Sequence, residues 1–372
     1  MKLELHFQRK TNAFKRLFAA IGCAAIITVL IPAQALPSTE DSDLQKQVTE
    51  LREKLEQLEK QLADGEQQKQ APAREKVQLS GFTQVRYTDK EGAAGNFNIP
   101  RARLKILGQV TDRSALTLLI EGAGKDGKVE LRDAYLDRRL SLKSNCYIRA
   151  GQAKTPIMYE VLESNTVLLP PERTAVSRAM FPGERDIGLL LRSLTSGKLT
   201  FDFGLANGQG RNTSDKNSRK NILGRAVLST SNGTAYVGYY DGDFVNAGGA
   251  TTNRTRFAVG TEQTLGNIRA RAEYVSGKNL GLSASGWYAQ VAVPVKQANT
   301  LFVRYDVYDE DRDAADTTFT RTTFGLAHHL NDKTRLTAAY ESRSADAGFA
   351  NLSNDGEAAA GDVFTLQYQV KY

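Results

Sequence analysis

The sequence predicts an all-β fold: a sixteen-stranded antiparallel transmembrane β-barrel with a short N-terminal coiled-coil helix. Three observations carry this reading. From Val77 onward, apolar residues recur at every second position. The alternating segments number sixteen, and single-chain barrels of bacterial outer membranes use even counts. The connections sort by parity, long after odd segments and short after even ones, as in barrels with unequal loops at their two ends.

The chain opens with Lys10, Lys15 and Arg16, then an apolar run over 17–31, then Ala33-Gln34-Ala35. A basic front, an apolar stretch and a small-residue cleavage box make a secretory signal peptide, with cleavage after Ala35. The run is short for a membrane-spanning helix. Cys23 sits too early in it to mark a lipidation site. Residues 1–35 hold five Lys and Arg against one acid, so their removal takes the net charge from +7 to +3. That balance, with no zinc-finger spacing or arginine-rich arm, does not support nucleic-acid binding. Only Cys146 remains after cleavage, so no internal disulfide forms.

Next come Leu44, Val48, Leu51, Leu55, Leu58 and Leu62, spaced alternately four and three. This is a heptad seam, with Lys54 and Glu59 at flanking positions able to pair between chains. Three heptads are marginal for an isolated helix. The seam at 36–62 therefore implies self-association backed by a larger interface, with a homotrimer as the expected assembly. Residues 63–76 are a polar linker.

The barrel is expected over 77–372. "VQLSGFTQVRYT" sets Val77, Leu79, Val85 and Tyr87 on one face and Gln78, Ser80, Gln84 and Arg86 on the other. "PRARLKILGQV" alternates the same way. The remaining segments fall near 113–123, 128–140, 145–153, 186–194, 197–206, 219–230, 233–243, 253–264, 267–277, 284–296, 299–310, 317–330, 333–343 and 361–372. Tight turns include "TDRS" at 111–114 and "LNDK" at 330–333, whereas 154–185, 207–218 and 344–360 are long. A soluble β-sandwich would alternate too, but it has no reason to sort its loops by parity, and its strands average five or six residues. The mean hydropathy of −0.41 is compatible with a barrel, since only every second residue meets lipid. Both chain ends then lie on the periplasmic side.

With the apolar face on lipid, the polar face lines the interior. There the sequence places Arg101, Arg103, Lys105, Arg269, Arg271, Arg304 and Arg321, with Arg335 a weaker candidate and Glu273 and Asp306 among them. A row of cations concentrates anions and repels cations, and the arginine fork suits phosphate and carboxylate. The alternative is that charges of both signs only keep the pore wet. The connection 154–185, rich in apolar residues, is expected to fold inward and narrow the barrel. Lys154, Arg173, Arg178 and Arg185 are its candidate constriction cations, with Glu160, Glu163, Glu172 and Glu184 as possible partners. The final strand carries Phe364, Leu366, Tyr368, Val370 and Tyr372 on one face, a pattern that resembles the signal read by outer-membrane assembly machinery.

"RARLKILGQV", "LRDAYLDRRL", "YIRAGQAKTP" and "MFPGERDIGLLL" occur in this order. With them the chain resembles the phosphate-selective porin O/P family over 77–372. The resemblance implies a trimeric outer-membrane channel of a Gram-negative bacterium with an inward-folded third loop, for passive diffusion of small, preferably anionic solutes such as phosphate. Its N-terminal coiled coil would lie in the periplasm. A structural anchor using the coiled coil to bind a cell-wall or periplasmic partner is the other reading. Catalysis is poorly supported. His328 and His329 are adjacent in a strand and point to opposite faces. "DEDRDAAD" at 309–316 lacks the glycine and final glutamate of a calcium loop. Phosphate-cradling glycine motifs are missing. No cofactor or metal is expected.

Overall fold

The structure, a computed structural model, describes residues 46, 49–57, 59, 60, 76–124, 127–142, 145–296, 298–352 and 358–372. The signal segment lies outside these residues, as do Leu44, Val48, Leu58 and Leu62 of the seam. Residues 49–57 are helical, and Leu51 and Leu55 are exposed on them.

Residues 73–372 form one compact unit. Sixteen strands run through it: β1 (Lys76–Lys90), β2 (Asn96–Thr111), β3 (Ser114–Glu121), β4 (Glu130–Arg139), β5 (Tyr147–Lys154), β6 (Arg185–Ser196), β7 (Leu199–Ala206) and β8 (Asn221–Ser229). They continue with β9 (Gly233–Val245), β10 (Thr251–Leu265), β11 (Ile268–Asn279), β12 (Leu282–Lys296), β13 (Asn299–Asp309), β14 (Thr318–Asn331), β15 (Thr334–Ala345) and β16 (Val363–Lys371). Each strand pairs antiparallel with its chain neighbours, and β16 closes on β1. The closing register sets Phe82 opposite Lys371 and Lys90 opposite Val363. Closure leaves no strand edge to be satisfied in hydrocarbon, where an unpaired edge is untenable.

The burial pattern is inverted relative to a soluble protein. Phe364, Leu366, Tyr368 and Val370 of β16 are exposed, while Thr365, Gln367 and Gln369 between them are buried. Val237, Tyr239, Phe257, Val259, Trp287, Leu301, Val303, Tyr305, Phe324 and Leu326 continue the outward apolar belt. A water-soluble monomer does not expose so large an apolar surface. A bilayer requires it.

Loop parity holds with two departures. The connection after the even strand β4, residues 140–146, is longer than those after β1 and β9. The connection after β11 is only residues 280–281, although it follows an odd strand. Leu280 and Gly281 both have positive φ, 53° and 90°, which is the backbone of a two-residue type I′ hairpin turn. The turn lets β11 and β12 extend to Asn279 and from Leu282, so the longer connection expected there is absorbed into strand.

Candidate functional site

The thirty residues 155–184 between β5 and β6 lie inside the barrel. They contain two short helices, α1 (Tyr159–Leu162) and α2 (Ala175–Met180). Ile157, Met158, Val161, Val176, Ala179 and Met180 are almost wholly buried and pack with Tyr236, Tyr240, Val275, Tyr288, Tyr308 and Phe319 of the wall. Each large apolar side chain so buried contributes roughly 1.5–3 kcal/mol. The interior wall beneath the loop is therefore mixed, with these apolar side chains standing among Arg256, Glu273, Arg304, Asp306 and Arg321. On β9–β14 the inward face includes aromatic and small residues where the apolar part of the loop covers it. Gly238 and Gly286 let the loop approach: a Cβ at Gly238 would stand 3.1 Å from the Ile157 carbonyl oxygen, and one at Gly286 would stand 2.7 Å from Val176 Cβ.

Carboxylates from the wall satisfy the first backbone N–H groups of both helices, which have no partner within the helix. Glu273 on β11 accepts from Tyr159 N at 2.7 Å and Glu160 N at 2.9 Å, and also from the hydroxyls of Tyr236 and Tyr288. Asp306 on β13 accepts from Ala175 N at 3.0 Å. Thr174 caps α2 by accepting from Ser177 N.

Arginines complete the clamp. Glu172 meets three of them: Arg101 at 2.7 Å, Arg86 at 2.8 Å and Arg178 at 3.0 Å. Arg271 binds Glu163 through both terminal nitrogens at 2.8 and 2.9 Å, and also pairs with Glu262. Arg304 reaches Glu160 at 3.4 Å, Arg321 reaches Asp306 at 2.9 Å, and Arg335 donates to the Leu168 carbonyl at 2.8 Å. At the root of the loop, Arg185 pairs with Asp133 at 2.6 Å and Glu184 at 3.0 Å. Lys154 lies 3.5 Å from Glu184, which also pairs with Arg173. Burial would raise the Glu172 carboxyl, but the guanidiniums of Arg101, Arg86 and Arg178 outweigh it and hold it well below the usual carboxylate range. Glu184 is held down in the same way by Arg173, Lys154 and Arg185 against its burial.

The space left free lies between the loop and the β1–β6 wall. A cavity of about 550 Å³ opens toward the long connections, lined by Arg86, Arg101, Arg103, Arg132, Arg173, Arg178 and Arg211 with Glu121, Glu130, Glu172 and Glu184. A second, of about 540 Å³, opens toward the short turns and the C terminus. Its charged lining is Arg103, Lys105, Arg149, Lys154, Arg185, Arg192 and Lys371 against Asp133. Asp137 and Asp202 sit behind Arg149 and Arg192 and partly neutralise them. Arg103 and Asn165 line both cavities, and Arg103 Nη1 donates to Asn165 Oδ1 at 2.9 Å. That contact stands between the two vestibules. Arg103 is itself oriented by Glu121 at 2.7 Å.

The lining cations expected from sequence therefore separate. Arg101, Arg103 and Lys105 face the free space, and Lys105 has no hydrogen-bond or ion-pair partner among the described residues. Arg304 and Arg321 are 0% and 1% exposed. They lie beneath the loop and fasten it instead of lining the passage. Arg271 also fastens it, while Arg269 lies half-buried on the same face of β11. Of the loop cations, Arg178 and Lys154 border the vestibules most openly. Arg173 and Arg185, 2% and 3% exposed, are consumed by the ion pairs that fix the loop's root. Arg132, Arg149, Arg192 and Arg211 line the vestibules without having been singled out from sequence. The β3–β4 register shifts between Leu119 and Ile120, whose partners are Asp133 and Leu131. This bulge at Arg132 interrupts strict alternation within "ELRDAYLDRR" and turns Arg132 inward.

A closed sixteen-strand barrel with an apolar belt and an arginine-lined lumen, narrowed by an inward loop, defines an outer-membrane porin. Residues 77–245 match the family model of phosphate-selective porin O and P, so the resemblance read from the motifs holds over that stretch. No curated protein matches the chain in sequence. Among solved structures, the chain is similar to an anion-selective porin from Comamonas acidovorans, with 17% identity, a TM-score of 0.61 and coverage of 80% of this chain and 99% of that one. It is also similar to the trimer form of OmpT from Vibrio cholerae (13%, 0.58, 80% and 99%). A third is the outer membrane channel DcaP of Acinetobacter baumannii (14%, 0.57, 80% and 97%).

Proposed function

We propose that this porin passes small hydrophilic solutes by diffusion with a preference for anions, phosphate and small carboxylates among them. The observation that carries the reading is the inner vestibule, where seven cationic side chains meet one acid in the lining. A focused positive potential raises the local concentration of anions and lowers that of cations. Passage needs several moderate sites in series, and the cations are spread over both vestibules instead of gathered at one point. Arg101, Arg103 and Lys105 act as the lining row. Lys154 and Arg178 border the constriction, while Arg269, Arg271, Arg304, Arg321, Arg173 and Arg185 shape it from behind.

The chain assembles as a homotrimer, with the seam Leu44, Val48, Leu51, Leu55, Leu58 and Leu62 as a periplasmic clamp. The alternate residues Phe364, Leu366, Tyr368, Val370 and Tyr372 serve as the address for the assembly machinery and meet outer-membrane lipid. Liposome swelling with a small carboxylate and an ammonium solute of equal size tests the charge preference. Faster entry of the carboxylate is expected, and equal or reversed rates would overturn the reading.

A further inference from the structure

Glu172 has unusual surroundings for a loop carboxylate. Its two oxygens gather Arg86, Arg101 and Arg178, and it is 6% exposed. Two residues hold the chain behind it, Pro170 and Pro171. Proline fixes φ and narrows the backbone's freedom. The Pro171 carbonyl accepts from Arg86 at 3.0 Å, which pins the loop to β1 independently of the Glu172 side chain. The carboxylate is also not sealed in. Glu172 and Arg86 line the cavity of about 550 Å³ on one side and a side chamber of about 280 Å³ on the other. They form the partition between them, so space exists for the carboxylate to swing aside.

A carboxylate held by several guanidiniums has the same chemistry as a small oxyanion held by them. We propose that the Arg86–Arg101–Arg178 cluster is an anion subsite of the passage, and that Glu172 is its built-in, displaceable counter-anion. The inference rests on the anion-preferring reading above. Arg86 and Arg101 have no other acid partner among the described residues; stripped of Glu172 they would trap a phosphate, and a trap conducts poorly. The tethered carboxylate competes with the entering anion and keeps its affinity low enough for release. A solute anion takes the arginines as Glu172 swings toward the side chamber, and Glu172 returns as the solute leaves.

The test is chloride current through single channels with inorganic phosphate added, on wild type, Glu172→Gln and Glu172→Asp. Barrel formation is checked first by heat-modifiable gel migration. Removing the competing charge should lower the half-blocking phosphate concentration by roughly tenfold or more, since hydrogen bonds to charged groups are the strong ones. Glu172→Asp should stay near wild type. Glu163→Gln breaks another loop-to-wall clamp but leaves Arg271 on Glu262, so it loosens the loop without baring Arg86 and Arg101. Unchanged phosphate block in Glu172→Gln, or equal sensitisation in Glu163→Gln, would overturn the proposal. A wild-type channel that prefers cations would instead defeat the underlying reading.

Discussion

Arg103 stands where the two vestibules meet, and its surroundings explain what one residue contributes. Glu121 orients the guanidinium, Phe82 lies 5.5 Å beneath it, and Asn165 of the loop receives one of its N–H groups. A unit charge about 5 Å from a passing ion is worth roughly 0.8 kcal/mol in a water-like dielectric, a factor of about four in local concentration. Arg103→Gln should therefore reduce the anion-to-cation permeability ratio several-fold and raise conductance by opening the Asn165 contact. Replacing Arg101 and Lys105 by glutamine as well should lower the ratio further, while the remaining vestibule cations keep it above unity. Arg304→Gln should behave differently. It removes a buried partner of Glu160 and Asp306, and breaking such a pair costs about 3–5 kcal/mol. Lower thermal stability with more frequent closures is expected, instead of a simple loss of selectivity. A variant that changes selectivity alone would contradict the placement of Arg304 beneath the loop.

At the scale of the element, the loop 155–184 is held to the wall in three ways: an apolar patch, carboxylates at two helix starts, and arginine pairs at its tip and root. Gly238→Val should lower conductance, because the added side chain meets Ile157 and presses the loop toward the passage. Overpacking of this kind costs about 1–3 kcal/mol. The pH behaviour of the tip follows from Glu172. Its carboxyl is depressed in the folded state, so its stabilisation is fully present above the ordinary glutamate value near 4.3 and is lost as pH falls through the lower folded value. The difference in channel behaviour between wild type and Glu172→Gln should thus persist from neutrality to about pH 4.3 and disappear only in stronger acid. Its disappearance between pH 5 and 6 would show that the three arginines do not hold the charge.

The same element shows what a sequence reveals and what it hides. Strands were legible because lipid imposes a period of two on one face regardless of what the other face touches. The inward course of 155–184 was legible because so apolar a segment cannot remain in water. Which arginines line the passage was not legible. Lys105 and Arg304 have the same inward parity, and only the path of the loop leaves one open and buries the other. The bulge at Arg132 and the two-residue turn at Leu280-Gly281 depend on local backbone conformations that alternation does not encode. Tyr236, Tyr288 and Tyr308 occupy lumen positions because the loop supplies their apolar partners.

For the whole molecule, closure and charge are the two properties that matter. The last residue pairs with the first strand through Tyr372 N to Gly81 O at 3.1 Å and Gly81 N to Tyr372 O at 3.2 Å. The Tyr372 ring lies against Gly81, where a Cβ would stand 2.3 Å from its hydroxyl oxygen. Gly81→Val should therefore lower the yield of heat-modifiable barrel while leaving the selectivity of assembled channels unchanged. The charge of the passage is tested most directly by the zero-current potential of the wild-type channel in a potassium chloride gradient across a planar bilayer. An anion-selective potential is predicted, shrinking toward zero as salt screens the lining over a Debye length of about 3 Å at 1 M. A cation-selective potential at every salt concentration would contradict the account.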